Sequence, residues 1–562
     1  MEHFDAIVVG SGISGGWAAK ELCEQGLKTL VLERGRDVRH IKDYPTMAMD
    51  PWDFAHRGQM KRTFYEENPL ITKAAGFGED TAHFFIKDSD HPYIQEKPFD
   101  WIRGYQVGGK SLIWGRACQR WSDYEFKAPE KYNYGIAWPI GYDDIAPWYS
   151  HVEKFIGVCG NKDGIEAMPD GEFLPPFELN CVEKHMKSTL EEHFPGRYLV
   201  QGRWAHLSEP EQIHLDQDRG KCLCRNKCMR GCPFGGYFSS NSSTLPWAEK
   251  TGNLTIRPFS VVHSIIYDED SGKASGIKII DANTKEEIIF QANIIFVNAS
   301  ALNSNLILLN SRSNRYPNGL GNDHDLLGRY IGFHNYRASA GGKISGFEDK
   351  YYYGSRPSEC IIANYRNLKQ RNTDFLGGYT IFTGAFRNRA EKVAEDIAQL
   401  GADFKHNLSK PGDWQIYMYM QGETLPKASN RVYLSPDKTD DWGIPLLVTD
   451  VDYDENDEKM TQDFLVESNR MLTKMGCTDI EVHDNKQAPG LDIHEMGGAR
   501  MGKDPKTSLL NEYNQMHGCK NVFVTDGACM TSMGNQSPSI LYMALTARAA
   551  TYAATQFKKG LL

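Results

Sequence analysis

Four cysteines, Cys222, Cys224, Cys228 and Cys232, fall within eleven residues of a 562-residue chain that holds twelve cysteines in all. Zinc sites usually present separate C-x2-C arms. The spacing here, C-x-C-x3-C-x3-C-P, is one continuous loop of the kind that wraps thiolates around a compact cluster. Structural zinc, two disulfides and free thiols are the alternatives. A second constellation opens the chain. The apolar run 5–9 leads into Gly10-Ser11-Gly12-Ile13-Ser14-Gly15, a helix-like segment from Trp17, the run Thr29–Leu32 and then Glu33-Arg34. This is strand, G-x-G-x-x-G, helix, strand, acid, the order of a dinucleotide fold. Gly10 permits the tight turn, Gly12 lets backbone approach a pyrophosphate, and Gly15 lets the helix pack on the strand. Free N–H groups at the helix start face the phosphates, and Glu33 can accept the ribose hydroxyls. The motif alone leaves FAD and NAD open.

The elements that must position these groups can be read from the pattern. Strand-like runs at 254–257, 261–267, 276–280, 287–290 and 294–297 precede a helix over 304–309. Residues 320–490 are irregular and aromatic (Tyr351 to Tyr353; Trp414, Tyr417, Tyr419), with strands at 431–434 and 446–452. The end returns to a strand at 521–524, a loop and a helix over 539–557. This predicts an α/β nucleotide-binding domain assembled from separated segments, 1–160, 215–320 and 490–562. A substrate domain from 161–214 and 321–489 is inserted into it. The net charge of −10, from 63 Lys+Arg against 73 Asp+Glu, comes without a basic block, which argues against nucleic acid as a partner. No apolar run approaches the ~20 residues of a membrane-spanning helix. The first residues enter a strand directly, so no signal peptide is expected in this chain.

Three further stretches carry a family resemblance: Val107-Gly108-Gly109-Lys110-Ser111-Leu112-Ile113-Trp114-Gly115, the segment 138–153, and His494-Glu-Met-Gly-Gly-Ala-Arg-Met-Gly502 through Val524-Thr-Asp526-Gly527-Ala528. With the first forty residues, the chain resembles the glucose–methanol–choline (GMC) oxidoreductases. The resemblance implies a Rossmann-like FAD-binding domain of the p-hydroxybenzoate hydroxylase-like type, with an inserted α+β substrate domain on an antiparallel sheet. It implies FAD, held by Gly10, Gly12, Ile13, Ser14, Gly15, Glu33 and Arg34. Gly108, Gly109, Ser111, Trp114 and Gly115 would lie beside the flavin, Val262 at the adenine, Ala299 near the sheet's end, and Asp526 and Gly527 at the ribityl and phosphate region. Some relatives anchor the flavin to a histidine; Ile113 stands at that position, so non-covalent FAD is expected. Oxidising an alcohol removes its O–H proton while hydride leaves carbon, and a neutral imidazole with an ordinary pKa of about 6.5 suits that task. His494 begins the family's H-x-x-G signature and matches its base. The second catalytic position, His or Asn in relatives, falls at Asn535 or Ser537, both also against the flavin, with Asn535 slightly favoured. Glu423, Asn430 and Arg431 match a strand bordering the site, and His517 reads as structural.

The subset Cys222, Cys228 and Cys232-Pro233 resembles catalytic subunits of bacterial sugar dehydrogenases with a [3Fe–4S] cluster. Cys224 adds a fourth thiolate, which favours [4Fe–4S] over [3Fe–4S]. Such a cluster implies a dehydrogenase that divides a hydride into single electrons for an outside acceptor, a c-type cytochrome or a quinone-linked chain. It also implies a small partner subunit that can carry an export signal; a periplasmic site reached that way and a cytoplasmic one both stay open. The resemblance is nearest to glucoside 3-dehydrogenases, which oxidise C3 of glucose and its glucosides to the 3-keto sugar. The alternatives are a glucose, gluconate or polyol dehydrogenase, a sugar oxidase with structural zinc, or a non-enzymatic electron-transfer subunit.

Overall fold

The computed structural model describes residues 2–350, 356–357, 359–387, 401–409 and 411–562; Tyr351, Tyr352 and Tyr353 lie outside the described residues. The β-branched run His3–Val9 forms the middle of a sheet because parallel neighbours cover both its edges. Val8 sits opposite Val31 of Thr29–Leu32 on one side and Phe296 of Glu287–Val297 on the other. Leu254–Arg257 extends the sheet beyond Thr29–Leu32, and Val522–Val524 pairs parallel with Glu287–Val297. The antiparallel strands Lys273–Asp281 and Ser260–Asp268 close the far side. The helices Ile13–Glu24 and Ser539–Lys558 meet through small side chains, Ala18 and Ala19 clustering with Ala549, Ala550 and Ala553. Such residues permit close backbone approach.

Residues 287–290 and 294–297 form a single strand, not two. Gln291 and Ala292, the polar or small break in the apolar pattern, pair with His3 and Phe4, and Gln291 also with Gly276. Hydrogen bonding on both edges outweighs the local break in hydropathy. Likewise the first helix begins at Ile13 and takes Gly15 and Gly16 into its first turn.

A second sheet is antiparallel: Leu199–Gln201, Cys360–Ile362, Tyr379–Arg387, Trp414–Glu423, Ala338–Ile344 and Thr478–Asp484, with His334–Asn335 also on Trp414–Glu423. Alternation divides Trp414–Glu423 between two faces. Trp414, Ile416, Met418 and Met420 bury against Met460, Phe464 and Met471 of the helix Glu455–Lys474. Tyr417, Tyr419 and Gln421 take the other face. A third sheet joins Met496–Gly498, Arg329–Gly332, Arg431–Thr439, Pro445–Asp450 and Ile94–Gln95. It draws strands from both sets of segments and so ties the loop that carries His494 to residues 329–332 and 431–450.

Candidate active site

The glycines of the first turn have different duties. Gly10 has a φ of +93°, and a Cβ there would lie 2.4 Å from the Asn298 carbonyl oxygen; a Cβ on Gly15 would lie 1.9 Å from the carbonyl oxygen of Gly10. Both are fixed by backbone packing. A Cβ on Gly12 would meet nothing within 4 Å. The space before Gly12 is therefore open, at the start of a helix whose first turn, with Ile13 and Ser14, has no side-chain cap. An uncapped helix start facing open space fits a dinucleotide pyrophosphate. The buried Glu33 carboxylate accepts from the Ser11 N–H and hydroxyl and from the Gly35 N–H, and burial pushes its pKa up. Arg34 turns elsewhere, bonding Asp440 at 3.3 Å with its guanidinium against the Tyr105 and Trp442 rings.

The second glycine loop lies against this cradle. Gly108 and Gly109 have φ of +91° and +50°, and a Cβ on Gly109 would come within 3.3 Å of the Gly12 Cα. The Gly108 N–H donates to Ser11 Oγ at 2.9 Å. Ser111 is spoken for: its hydroxyl donates to the Gly108 carbonyl and accepts from the Ser240 N–H. Trp114 Nε1 donates to the Phe238 carbonyl at 2.9 Å, and a Cβ on Gly115 would meet open space. Val262 is buried in Ser260–Asp268. Ala299 donates its N–H to Ser304 Oγ, and the same hydroxyl donates to Asp526, whose pKa burial raises to about 6. Gly527 packs on the Glu495 carbonyl, since a Cβ there would lie 2.4 Å from it, and Lys110 Nζ lies 3.2 Å from Glu495 Oε2. Three chain segments thus converge beside His494.

His494 Nδ1 stands 2.9 Å from Nδ1 of His334, with the two rings nearly perpendicular. His334 was missed by sequence reasoning, and no local motif marks it. Its ring reaches the Met533 carbonyl through Nε2 at 3.3 Å. Asp492 Oδ2 accepts the His334 N–H at 2.7 Å and lies 3.9 Å from His494 Nδ1. Burial, then His334 and Lys110, drive the His494 pKa well below the ordinary imidazole value, so the ring is neutral. Burial raises Asp492 to about 7.

Asn535 has a crowded side chain. Its Nδ2 donates to Glu125 Oε1 at 3.1 Å, its Oδ1 accepts from Thr380 Oγ1 at 2.8 Å, and its carbonyl accepts from Gln421. Ser537 is buried too but has no such pair of bonds. Burial lifts Glu125 to about 7 and Glu423 to about 8; Tyr134 donates to Glu423 Oε1 at 2.8 Å. On the sheet face that carries Gln421, Tyr419 stacks on Phe382 with centroids 5.3 Å apart and on Tyr417. Trp414 belongs to the opposite, helix-covered face. His517 bonds Ser508 Oγ through Nε2.

The cysteine loop is half-buried, and all four of its thiols are free. Burial, with Cys224, Cys228 and Cys232 adding their charge, pushes Cys222 up to about 12. Cys224 and Asn226 adopt left-handed φ of +51° and +55°. Tetrahedral zinc, with Zn–S near 2.3 Å, would hold sulfurs about 3.8 Å apart. Among the described residues, the one trio of ligand atoms all within 4.8 Å of one another is His334, Asp492 and His494. The buried Arg116 ties the cysteine loop to the second glycine loop: its Nη2 donates to the carbonyls of Leu112 and Cys228, at 3.0 and 3.1 Å, with its guanidinium over the Tyr237 ring.

A family model described as GMC oxidoreductase matches residues 4–334, and its C-terminal counterpart matches 426–546. The chain is 25% identical to the fructose dehydrogenase large subunit of Gluconobacter japonicus, over 99% of this chain and 98% of that protein. It is 24% identical to 2-methyl-1,2-propanediol dehydrogenase of Mycolicibacterium austroafricanum, over 99% and 96%. The crystal structure of pyridoxine 4-oxidase from Mesorbium loti shares the fold at a TM-score of 0.58, with 16% identity and 99% of each chain covered.

Proposed function

The chain belongs to the GMC oxidoreductase family, an FAD-dependent class that oxidises CH–OH groups. From that premise we propose a dehydrogenase that oxidises a sugar hydroxyl, at C3 of glucose and glucosides, and passes the electrons out through an iron–sulfur cluster. His494 takes the hydroxyl proton; its burial keeps the ring neutral and ready to accept. Loss of that proton makes the adjacent C–H a hydride donor, and FAD, when bound, supplies the hydride acceptor. Gly12, the Gly108–Gly109 turn and Asp526 would hold FAD non-covalently, Ile113 offering no attachment atom. Ser537 or Asn535 would bond the substrate oxygen, and Tyr419 and Tyr417 would give a pyranose ring an aromatic wall.

Cys222, Cys224, Cys228 and Cys232 would hold [4Fe–4S], or [3Fe–4S] without Cys224, and such a cluster supplies one-electron relay to an outside acceptor. The observation that carries the relay is Arg116, which bonds the flavin loop and the cysteine loop at once. A relative described as a large subunit supports a partner subunit; the proposal adds a c-type cytochrome as acceptor and export on that partner's signal. Among the described residues no helix is long and apolar enough to cross a membrane. The similarity to a diol dehydrogenase favours, as second reading, oxidation of glucose, gluconate or a polyol. Product NMR after turnover on glucose and on a glucoside blocked at C1 tests the proposal. A 3-keto product from both supports it; oxidation at C1 only, or no reaction on the blocked glucoside, overturns the C3 assignment.

A further inference from the structure

The contact between His334 and His494 fixes where protons sit. His334 Nε2 lies 3.3 Å from the Met533 carbonyl oxygen. A carbonyl oxygen can only accept, so Nε2 carries hydrogen. The ring is fully buried, and burial lowers its pKa to about 4. It is therefore neutral near pH 7 and bears one proton only, leaving Nδ1 bare. That bare Nδ1 stands 2.9 Å from His494 Nδ1, a distance at which one partner must donate. The donor can only be His494. Because His494 is itself neutral, its second nitrogen, Nε2, is left with a lone pair.

We propose that His334 is a positioning residue: by accepting from Nδ1–H it holds His494 in the tautomer whose Nε2 lone pair meets the substrate hydroxyl. The inference rests on the reading of His494 as the base. The reverse tautomers would set the bare His334 Nε2 against the Met533 carbonyl, lone pair against lone pair. In the chemical step the substrate O–H bond breaks and an Nε2–H bond forms on His494, while the Nδ1–H bond and its acceptor stay in place. His334 neither gains nor loses a proton. The other charged or titratable groups near the pair are Asp492, whose Oδ2 accepts the His334 N–H, and Lys110, itself paired with Glu495. Neither is within hydrogen-bond reach of His494 Nδ1, Asp492 being 3.9 Å away, so the tautomer depends on His334.

Two variants and one spectroscopic measurement test this. His334→Leu removes the acceptor; His334→Asn keeps a carbonyl oxygen close to where Nδ1 stood. With FAD content as the check on folding, anaerobic stopped-flow reduction by sugar should slow about 100-fold in His334→Leu, with KM little changed. A misplaced tautomer on a catalytic imidazole can cost up to about 10⁴-fold. His334→Asn should recover most of the loss. In holoenzyme labelled with ¹⁵N-histidine, the His494 signals, assigned by their absence from His494→Ala, should show a pyrrole-type Nδ1 and a pyridine-type Nε2. Reversed nitrogen types in the wild type, reduction by His334→Leu at the wild-type rate, or an Asn variant no better than Leu would each overturn the proposal. Reduction by His494→Ala at the wild-type rate would overturn the base assignment itself, and is read separately from any effect at His334.

Discussion

Gly12→Ala separates what the fold needs from what the cofactor needs. Gly12 has φ of −69° and ψ of −158°, extended backbone that alanine also adopts. The new methyl would meet no protein atom within 4 Å. The apoprotein should keep its melting temperature, or gain the ~0.4–1 kcal/mol that Gly→Ala yields through the unfolded chain at a compatible site. Bound FAD would feel the change. A methyl in the cradle holds the pyrophosphate off the helix N–H groups, and hydrogen bonds to a charged partner are worth about 1.5–3 kcal/mol each. Losing one raises the FAD Kd by roughly 10- to 150-fold. Gly15→Ala is the control. Its methyl would sit 1.9 Å from the Gly10 carbonyl oxygen, so backbone must move and the apoprotein should lose about 1–3 kcal/mol or more. Fluorescence titration of apoprotein with FAD, beside circular-dichroism melting, reads both quantities. Wild-type FAD affinity in a fully folded Gly12→Ala protein would show that the open space is not the phosphate site. Destabilisation equal to that of Gly15→Ala would show that it is not open at all.

Arg116→Leu leaves the Leu112 carbonyl its bond from Tyr237 and the Cys228 carbonyl only the 3.4 Å bond from the Gly231 N–H. Flavin reduction by sugar should persist while transfer to a one-electron acceptor slows, and equal loss of both half-reactions would contradict the bridge. Anaerobically prepared protein should hold about four iron and four sulfide per chain, and Cys224→Ser should drop it to a three-iron centre; zinc without sulfide would end the relay argument. Ser537→Ala should slow flavin reduction more than it changes stability, whereas Asn535→Ala, which breaks two buried bonds, should destabilise by about 1–3 kcal/mol; the reverse pattern would make Asn535 the substrate's partner. Glu423 is held neutral by burial, its pKa raised to about 8 from an unfolded value near 4.3. Its contribution to stability is therefore full below about pH 4 and lost as pH rises through 8, at most ~5 kcal/mol. Glu423→Gln should flatten the fall in melting temperature between pH 5 and pH 8, and an unchanged slope would place the titration elsewhere.

The parts of this molecule legible in the sequence are those whose cause is local. Val8 and Val31 announce a strand pair because buried parallel strands are continuous apolar runs, and Gly10, Gly12 and Gly15 announce the turn because each spacing has its own steric reason. Where a neighbour decides, the pattern misleads. Gln291 interrupts an apolar run, yet the strand continues because the strands on either side bond through it. Trp414 reads like Tyr417 and Tyr419 until register places it on the face covered by Met460 and Phe464.

The site follows the same division, with a sharper consequence. His494 is found through a local signature, but His334 lies 160 residues earlier in a two-residue strand with no motif, and it reaches His494 only because that strand pairs with Glu423 and Gly422. The two partners that lower the His494 pKa, His334 and Lys110, are both of this long-range kind. Burial moves Glu125, Glu423 and Asp492 up towards neutrality and His334 and His494 down, so the resting site carries less charge than its residue types suggest. In the proposed step, taking the hydroxyl proton makes the neutral His494 a cation. The carboxyl 3.9 Å from its Nδ1, Asp492, is pushed up to about 7 by burial, and in its ionised form it offsets that positive charge. A site that gains charge at His494 as the proton moves, beside a carboxylate that offsets it, is stabilised most when the reaction is under way, which is the condition for lowering a barrier rather than tightening binding.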